Sequence, residues 1–450
     1  MSRSSVFRAE WVLPVTTPPI HHGEVLVGSD GRIAAVAPQG AVDLPEDAIV
    51  HELGATVLLP GLVNVHAHPE LAMFRGALED LPFREWILRL VGAKRSALVP
   101  EDSSAAARWT MVEAIRAGIT TIAATESSGA AAGALAESGL RGIVFQEVFG
   151  PDPAQAEGAR AQLEAQVDAL MEHASDRVTI GVSPHAPYTV SDRLYQTTAR
   201  LAAERRLPMA VHIAESVAER ELVVSGMGDF APGLRTRGIE TSRRGRTPLE
   251  MLKRLGVLEQ RPLLIHCVDL DDEDIADIAA ADCAVAHCPV ANAKLGHGVA
   301  RLTELRAAGV RVGLGTDSVG SNNRLDLLEE ARIASLLQRT RTLSPVTLSA
   351  DELLRLCTID GARALGLEEQ IGSLEPGKYA DLCAVSLAAP HTVPTHDPTV
   401  AIFHSARGSD VVMTVVRGEV IYRDGQITTL DVESARTAIE AAAQRLRDAR

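Results

Sequence analysis

Cysteine is scarce in this chain: 450 residues hold five, an odd number with no C-x-x-C spacing. That pattern excludes a disulfide framework and reads as reduced thiols in a cytoplasmic protein. Cys267 and Cys288 follow as small buried fillers, because neither sits in an electropositive motif that would make it a nucleophile. Long apolar runs are missing too. No stretch approaches the ~20 residues of a membrane-spanning helix. The opening MSRSSVFRAEWVLPV lacks the unbroken apolar core of a signal peptide. Positive charge is in deficit: the net charge of −15 argues against nucleic acid or an acidic membrane surface as the main partner. One basic cluster runs against that balance, RTRGIETSRRGR, with Arg235, Arg237, Arg243, Arg244 and Arg246. It reads first as a solvated loop and second as a mobile lid over an anionic substrate.

What is present is ordinary globular composition, 46% apolar and 23% charged, with no sign of a long disordered segment. At this length one large domain with a smaller module is expected. The two ends look alike in kind. EVLVGSDGRIAAVAP predicts two strands around an Asp30-Gly31 turn, and KYADLCAVSL and DVVMTVVRGEVIYRDGQ repeat the pattern near the other end. Residues 1–60 and 372–430 are therefore expected to assemble one composite β-sandwich, and 431–450, rich in helix formers, to close as a helix.

Between them, 61–371 alternates short β-branched runs with helical stretches such as RWTMVEAIRAG. Eight runs stand out: LVNVHAH (62–68), TTIAATE (120–126), GIVFQEV (142–148), VTIGVSPH (178–185), PMAVHIAE (208–215), PLLIHCV (262–268), CAVAHCP (283–289) and RVGLGTD (311–317). Eight strands in β/α alternation predict an α/β protein whose large domain is a (β/α)8 TIM barrel. No tandem repeat is visible.

In such barrels the active site forms at the C-terminal ends of the strands. His66 and His68 end the first run, His185 the fourth, His212 and Glu215 the fifth, His266 the sixth, His287 the seventh and Asp317 the eighth. Chance placement would scatter these residues over helices and loops. Side chains at i and i+2 of a strand share a face, so His66 and His68 converge. Ligand chemistry assigns His66, His68, His212 and Asp317 to one divalent cation, with one position kept open for water. A bridged two-metal site would want a lysine at the end of the fourth run, which reads GVSPHAPY, so a single ion is expected. Zinc is the first choice, and the same ligands accept iron or manganese.

Glu215, three residues past His212, can shuttle the proton of an activated water, provided its pKa is raised into a useful range. His266 can polarise the hydroxide, and Asp317 can both coordinate and accept a proton. Taken singly, His212 or His266 would read as a buried histidine satisfied by backbone, and Glu215 as an acid at a helix start. His287, in VAHCPVANAKLG, is open between core residue and substrate contact. Trp86 and Phe83, in DLPFREWI, read first as helix core, with Trp86 kept as a candidate substrate contact.

These residues carry a resemblance. PGLVNVHAH, HIAE, IHCV and GTDS, in this order, resemble the amidohydrolase superfamily and its mononuclear aminohydrolase branch. FRGALEDLPFREWI, SPHAPYTVS, KLGHGVA, GTDSVGSNN and GSLEPGKYADL are similar to the methylthioadenosine/adenosylhomocysteine deaminase group over nearly the whole chain. The resemblance implies zinc on His66, His68, His212 and Asp317, proton transfer by Glu215 and His266, and substrate contact by His185. It implies hydrolytic deamination of an adenosine-type nucleoside, and it is compatible with a homo-oligomer.

Three stretches depart from that group. LVGAKRSALVPED has Lys94 and Arg95, and no acid before Glu101, where adenosylhomocysteine-specific members hold the ribose with an acid. The segment between the fifth and sixth runs is long, and with HPELAMFRG it is similar to aminodeoxyfutalosine deaminases, whose substrate carries a carboxylate. CPVANAK stands where N-P-x-S-N-x-K is expected. The rival readings are guanine or triazine deamination, cyclic amide hydrolysis, and a non-catalytic scaffold; the last should have lost a ligand or Glu215, and none is lost.

Overall fold

The computed structural model describes residues 3–449. All eight runs are strands: β1 (Leu62–Ala67), β2 (Ile119–Glu126), β3 (Arg141–Val148), β4 (Val178–Pro184), β5 (Ala210–Ile213), β6 (Leu263–His266), β7 (Ala284–His287) and β8 (Arg311–Leu314). They pair in parallel as two four-stranded sheets, β1 to β4 and β5 to β8 in chain order. Parallel bridges join the sheets at both edges, Val182 to Met209 and Ala67 to Asp317. Nearly every residue of these strands is buried, as expected where helices cover one face and side chains fill the other. That double burial is why the runs read as continuous apolar stretches without alternation.

The two ends of the chain meet in a separate nine-stranded sheet. Its seam is Thr56–Pro60 running antiparallel to Leu382–Ser386, with Leu58 opposite Ala384. Ile20–Val27 and Ile33–Pro38 flank the Asp30-Gly31 turn as expected, with Gly31 at φ +78°. Asp381 ties this sheet to the parallel strands. It accepts from buried Arg141 of β3 at 3.1 Å and from the Arg417 amide at 2.8 Å. The guanidiniums of Arg32, Arg141 and Arg417 all stand over the Tyr379 ring, 4.0–4.9 Å from its centre. Val432–Asp448 forms the expected closing helix, capped by Asp431, which accepts from the Ser434 amide. Its Arg445 pairs with buried Asp102 of helix Pro100–Arg116. Among the described residues no helix is long and apolar enough to cross a membrane.

Candidate active site

The C-terminal ends of the parallel strands open into one cavity of about 790 Å³. His66 is next to last in β1 and His68 follows the strand, while His212 lies in β5 and Asp317 three residues beyond β8. Asn64 sets the register between the two edges. Its amide nitrogen donates to Thr316 Oγ1 at 2.8 Å, and its oxygen accepts from the Thr316 and His66 amides. Gly315 allows the close approach, because a Cβ there would lie 3.0 Å or less from His66 atoms. Asp317 is then clamped: Oδ1 accepts from the Ser318 amide at 2.7 Å and Oδ2 from the Ser321 hydroxyl at 2.9 Å.

The donor atoms converge as a metal site requires. His68 Nε2 and His212 Nε2 are 3.2 Å apart, and Asp317 Oδ1 lies 3.4 Å from His66 Nε2 and 3.6 Å from His68 Nε2. Ligands ~2.1 Å from a shared tetrahedral ion stand roughly 3.4 Å from one another. His66 Nε2 is buried with no hydrogen-bond partner among the described residues, while its Nδ1 is held by Thr125 Oγ1 at 3.2 Å. Burial lowers His66, takes His68 down to about 3 and His212 well below its ordinary value, so the rings are neutral and offer lone pairs. Burial alone would raise Asp317, but His66, His266 and His68 outweigh it and hold the carboxyl well below its usual range. Three neutral imidazoles around one carboxylate suit a divalent cation.

Glu215 stands beside this cluster. Its Oε2 accepts from the Tyr188 hydroxyl at 3.3 Å, and Oε1 lies 3.6 Å from His266 Nε2 and 3.3 Å from His297 Nε2. His266 Nδ1 faces Asn292 Oδ1 at 3.0 Å, which turns Nε2 toward the site. Burial pushes the Glu215 carboxyl up, as the sequence reading wanted, yet His266 and His297 overcome that push and leave it below its ordinary value. The raised value expected from sequence is therefore not found, and the reason is a second histidine. His297 packs edge-on against Phe83 with ring centres 4.4 Å apart. Its only signal in the sequence is the polar ring inside KLGHGVA.

Backbone geometry marks the same rim. Ala214, His266, Cys267 and Asp317 all have positive φ, between +50° and +76°. Such conformations cost a non-glycine residue roughly 1–3 kcal/mol and persist where the surroundings impose them, typically at functional sites. Part of that imposition is Glu219, whose carboxylate accepts from the Ala214 and Glu215 amides at 2.7 and 3.1 Å.

The remaining candidates separate. His185 lines the cavity, with Nδ1 bonded to Thr189 Oγ1 at 2.7 Å, and burial lowers it to about 4. Trp86 is core, 7% exposed, and also borders the cavity, its indole nitrogen buried without a partner among the described residues. His287 is buried outside the cavity lining, both ring nitrogens unpartnered among the described residues. Cys267 and Cys288 are buried free thiols that burial pushes well above their ordinary value. The arginine-rich loop is pinned and not simply solvated. Arg244 bonds Asp192 at 2.7 Å and the carbonyls of Pro187 and Val190, and Arg246 pairs with Asp271 and Glu273. Of its five arginines only Arg237 borders the cavity, joined there by Arg84 and Arg95. None of these three side chains makes an ion pair or hydrogen bond among the described residues.

Three buried acids were not singled out by sequence. Glu70 binds Lys94 at 2.6 Å, so the basic residue of the departing AKR stretch is already paired. Glu126 ends β2 and accepts from the Ala130 and Ala131 amides at 3.1 Å, while burial and Glu70 push it to about 7. Glu147, near the end of β3, is raised well above its ordinary value by burial, with Glu70 adding to it.

Residues 57–421 match the amidohydrolase family model. The chain belongs to the amidohydrolase family. This amidohydrolase is 36% identical over 427 residues to a 5-methylthioadenosine/S-adenosylhomocysteine deaminase of Moorella thermoacetica, covering 94% of this chain and 95% of the relative. It is 34% identical to a 5'-deoxyadenosine deaminase of Methanothermobacter thermautotrophicus, covering 95% of each. In fold it is similar to a zinc-bound adenosine deaminase from Xanthomonas campestris, with a TM-score of 0.88 over 99% of both chains at 26% identity. Like its family, the amidohydrolase is a hydrolase acting on C–N bonds.

Proposed function

We propose that this amidohydrolase deaminates an adenosine-type nucleoside, replacing the ring amino group with oxygen and releasing ammonia. The two parallel sheets would close into one (β/α)8 barrel over 61–371, with the terminal strands, 1–60 and 372–430, forming a small sandwich and 431–450 a closing helix. The observation that carries the reading is the convergence of His66, His68, His212 and Asp317 beside a buried Glu215. Relatives at 34–36% identity that bear nucleoside deaminase names support the substrate class.

One divalent ion, zinc by preference, would be held by His66, His68, His212 and Asp317 and would supply Lewis acidity that makes the attacking water more acidic. Glu215, ionised by its two histidines, takes the proton from the attacking water as the new C–O bond forms. It then hands that proton to the ring nitrogen adjacent to the amine-bearing carbon. His266 Nε2 points at the developing oxyanion and stabilises it. Asp317 holds the second proton on its way to the leaving amine, and the C–N bond breaks to give ammonia and a ring carbonyl. His185 and Trp86 line the cavity where the nucleoside would lie. Arg84, Arg95 and Arg237, unpaired at its mouth, favour a 5′ substituent that carries negative charge.

The test is a panel of adenosine, methylthioadenosine, adenosylhomocysteine and aminodeoxyfutalosine, followed by loss of adenine-type absorbance, with metal analysis of the same sample. An inosine-type product and about one ion per chain are expected. Turnover of guanine or triazines alone would overturn the reading.

A further inference from the structure

Glu147 has no role in the reaction just described, and its surroundings are unusual. Its side chain borders the cavity yet is 5% exposed, and Oε1 has no hydrogen-bond partner among the described residues. The other two buried acids of this rim are satisfied, Glu70 by Lys94 and Glu126 by the start of the helix Ala130–Ser138. Two ring nitrogens face the orphan oxygen. His212 Nδ1 and His185 Nε2 each lie 3.9 Å from Glu147 Oε1. His212 Nδ1 is itself buried and unpartnered. The opposite nitrogens of the same rings are committed, His212 Nε2 toward His68 and His185 Nδ1 to Thr189.

A histidine that gives Nε2 to a metal carries its proton on Nδ1, and an acceptor on that side fixes both the tautomer and the ring's direction. A buried carboxyl oxygen facing a buried N–H, each otherwise without a partner, removes two costs at once when they bond. We propose that Glu147 is the positioning acid of the site: with an ion bound it closes the 3.9 Å gaps and accepts from His212 Nδ1–H and His185 Nε2–H, aiming one ring at the ion and the other at the substrate. Glu147 thereby couples the two, so that the ring gripping the ion and the ring touching the nucleoside share one anchor. The inference rests on the metal set proposed above, but not on the identity of the nucleoside.

Zinc alone is the probe. The holoenzyme, Glu147→Gln and Glu147→Ala are stripped and titrated with zinc against a chromophoric chelator, and unfolding of each metal-free protein is followed by heating. Zinc affinity should fall about 10–100-fold in Glu147→Ala, the usual range for loss of an outer-shell partner. Glu147→Gln keeps an acceptor oxygen and should fall between. The metal-free variants should unfold no earlier than the parent, whereas a merely structural acid would show the reverse pattern. Glu126→Gln is the control, expected to lower the unfolding temperature and leave zinc affinity unchanged. A folded Glu147→Ala that binds zinc as tightly as the parent overturns the proposal. So does a parent that takes up two zinc ions and a variant that takes up one, which would make Glu147 a ligand of a second ion. If zinc affinity falls as expected while the parent deaminates no adenosine-type nucleoside, the positioning role stands and the substrate reading fails.

Discussion

The rim of the cavity has two unlike sides. Along β1, β5, β6 and the segment after β8, it gathers His66, His68, His212 and His266 around Asp317, with the three proposed ligand rings driven neutral by burial. Along β2, β3 and the segment after β1, it gathers Glu126, Glu147 and Glu70 with Lys94 among them. On the first side the protein concentrates lone pairs, an arrangement that a cation draws together. On the second Glu70 pairs with Lys94 and Glu126 with backbone amides, while the unpartnered Oε1 of Glu147 faces His212 and His185 on the other side. Desolvation acts on both sides, lowering the histidines of the first and raising Glu126 and Glu147 on the second.

Chelation tests that contrast most severely. Exhaustive metal removal should take turnover to background and zinc should restore it; an undiminished rate in protein shown metal-free by elemental analysis would sink the ion's role. Glu215→Gln comes next. It should lower kcat by about 10²–10⁴ while the zinc content stays that of the parent, and a rate within an order of magnitude of the parent removes Glu215 from the proton path.

Acid should expose the cost of neutral histidines. Burial lowers His185 to about 4 and His287 to about 3, so both stay unprotonated in the folded chain, while the unfolded chain protonates them near 6.5. Below that value the unfolded state binds more protons. Stability is therefore full above about pH 6.5 and falls with pH until the folded values are reached. Each group should cost about 2 kcal/mol between pH 7 and pH 5, read from denaturant midpoints; His287→Gln should flatten the slope by its share. The smallest effect belongs to the mouth of the cavity. Replacing Arg84, Arg95 or Arg237 by Ala should raise KM roughly tenfold for a nucleoside with an anionic 5′ group. KM for methylthioadenosine should not move, and equal changes for both would argue against charge recognition.

How much of this is legible without coordinates depends on the range of the interaction. His66 with His68 is visible because an i, i+2 spacing on a strand shares a face, and Glu215 because it follows His212 closely in HIAES. His266 and Asp317 follow from the rule that chemistry sits at strand ends, and so in principle do Glu126, which closes TTIAATE, and Glu147, next to last in GIVFQEV. A search led by histidines passes over them. The proton affinity of Glu215 is only half legible, since it depends on His266 and also on His297 arriving from a distant loop. The fate of the arginine-rich loop is equally hidden. Only the fold shows Arg244 reaching Asp192 and Arg246 reaching Asp271, which leaves Arg237 alone beside the cavity.

The seam between Thr56–Pro60 and Leu382–Ser386 has a temporal consequence. At ribosomal speeds of about 5–20 residues per second, the earlier strand exists for on the order of half a minute before its neighbour is made. Throughout that interval it presents a bare, largely apolar edge, TVLLP, of the kind that recruits other chains. Yield of this protein in a cell should therefore respond to translation rate and to chaperone supply more than its finished architecture suggests.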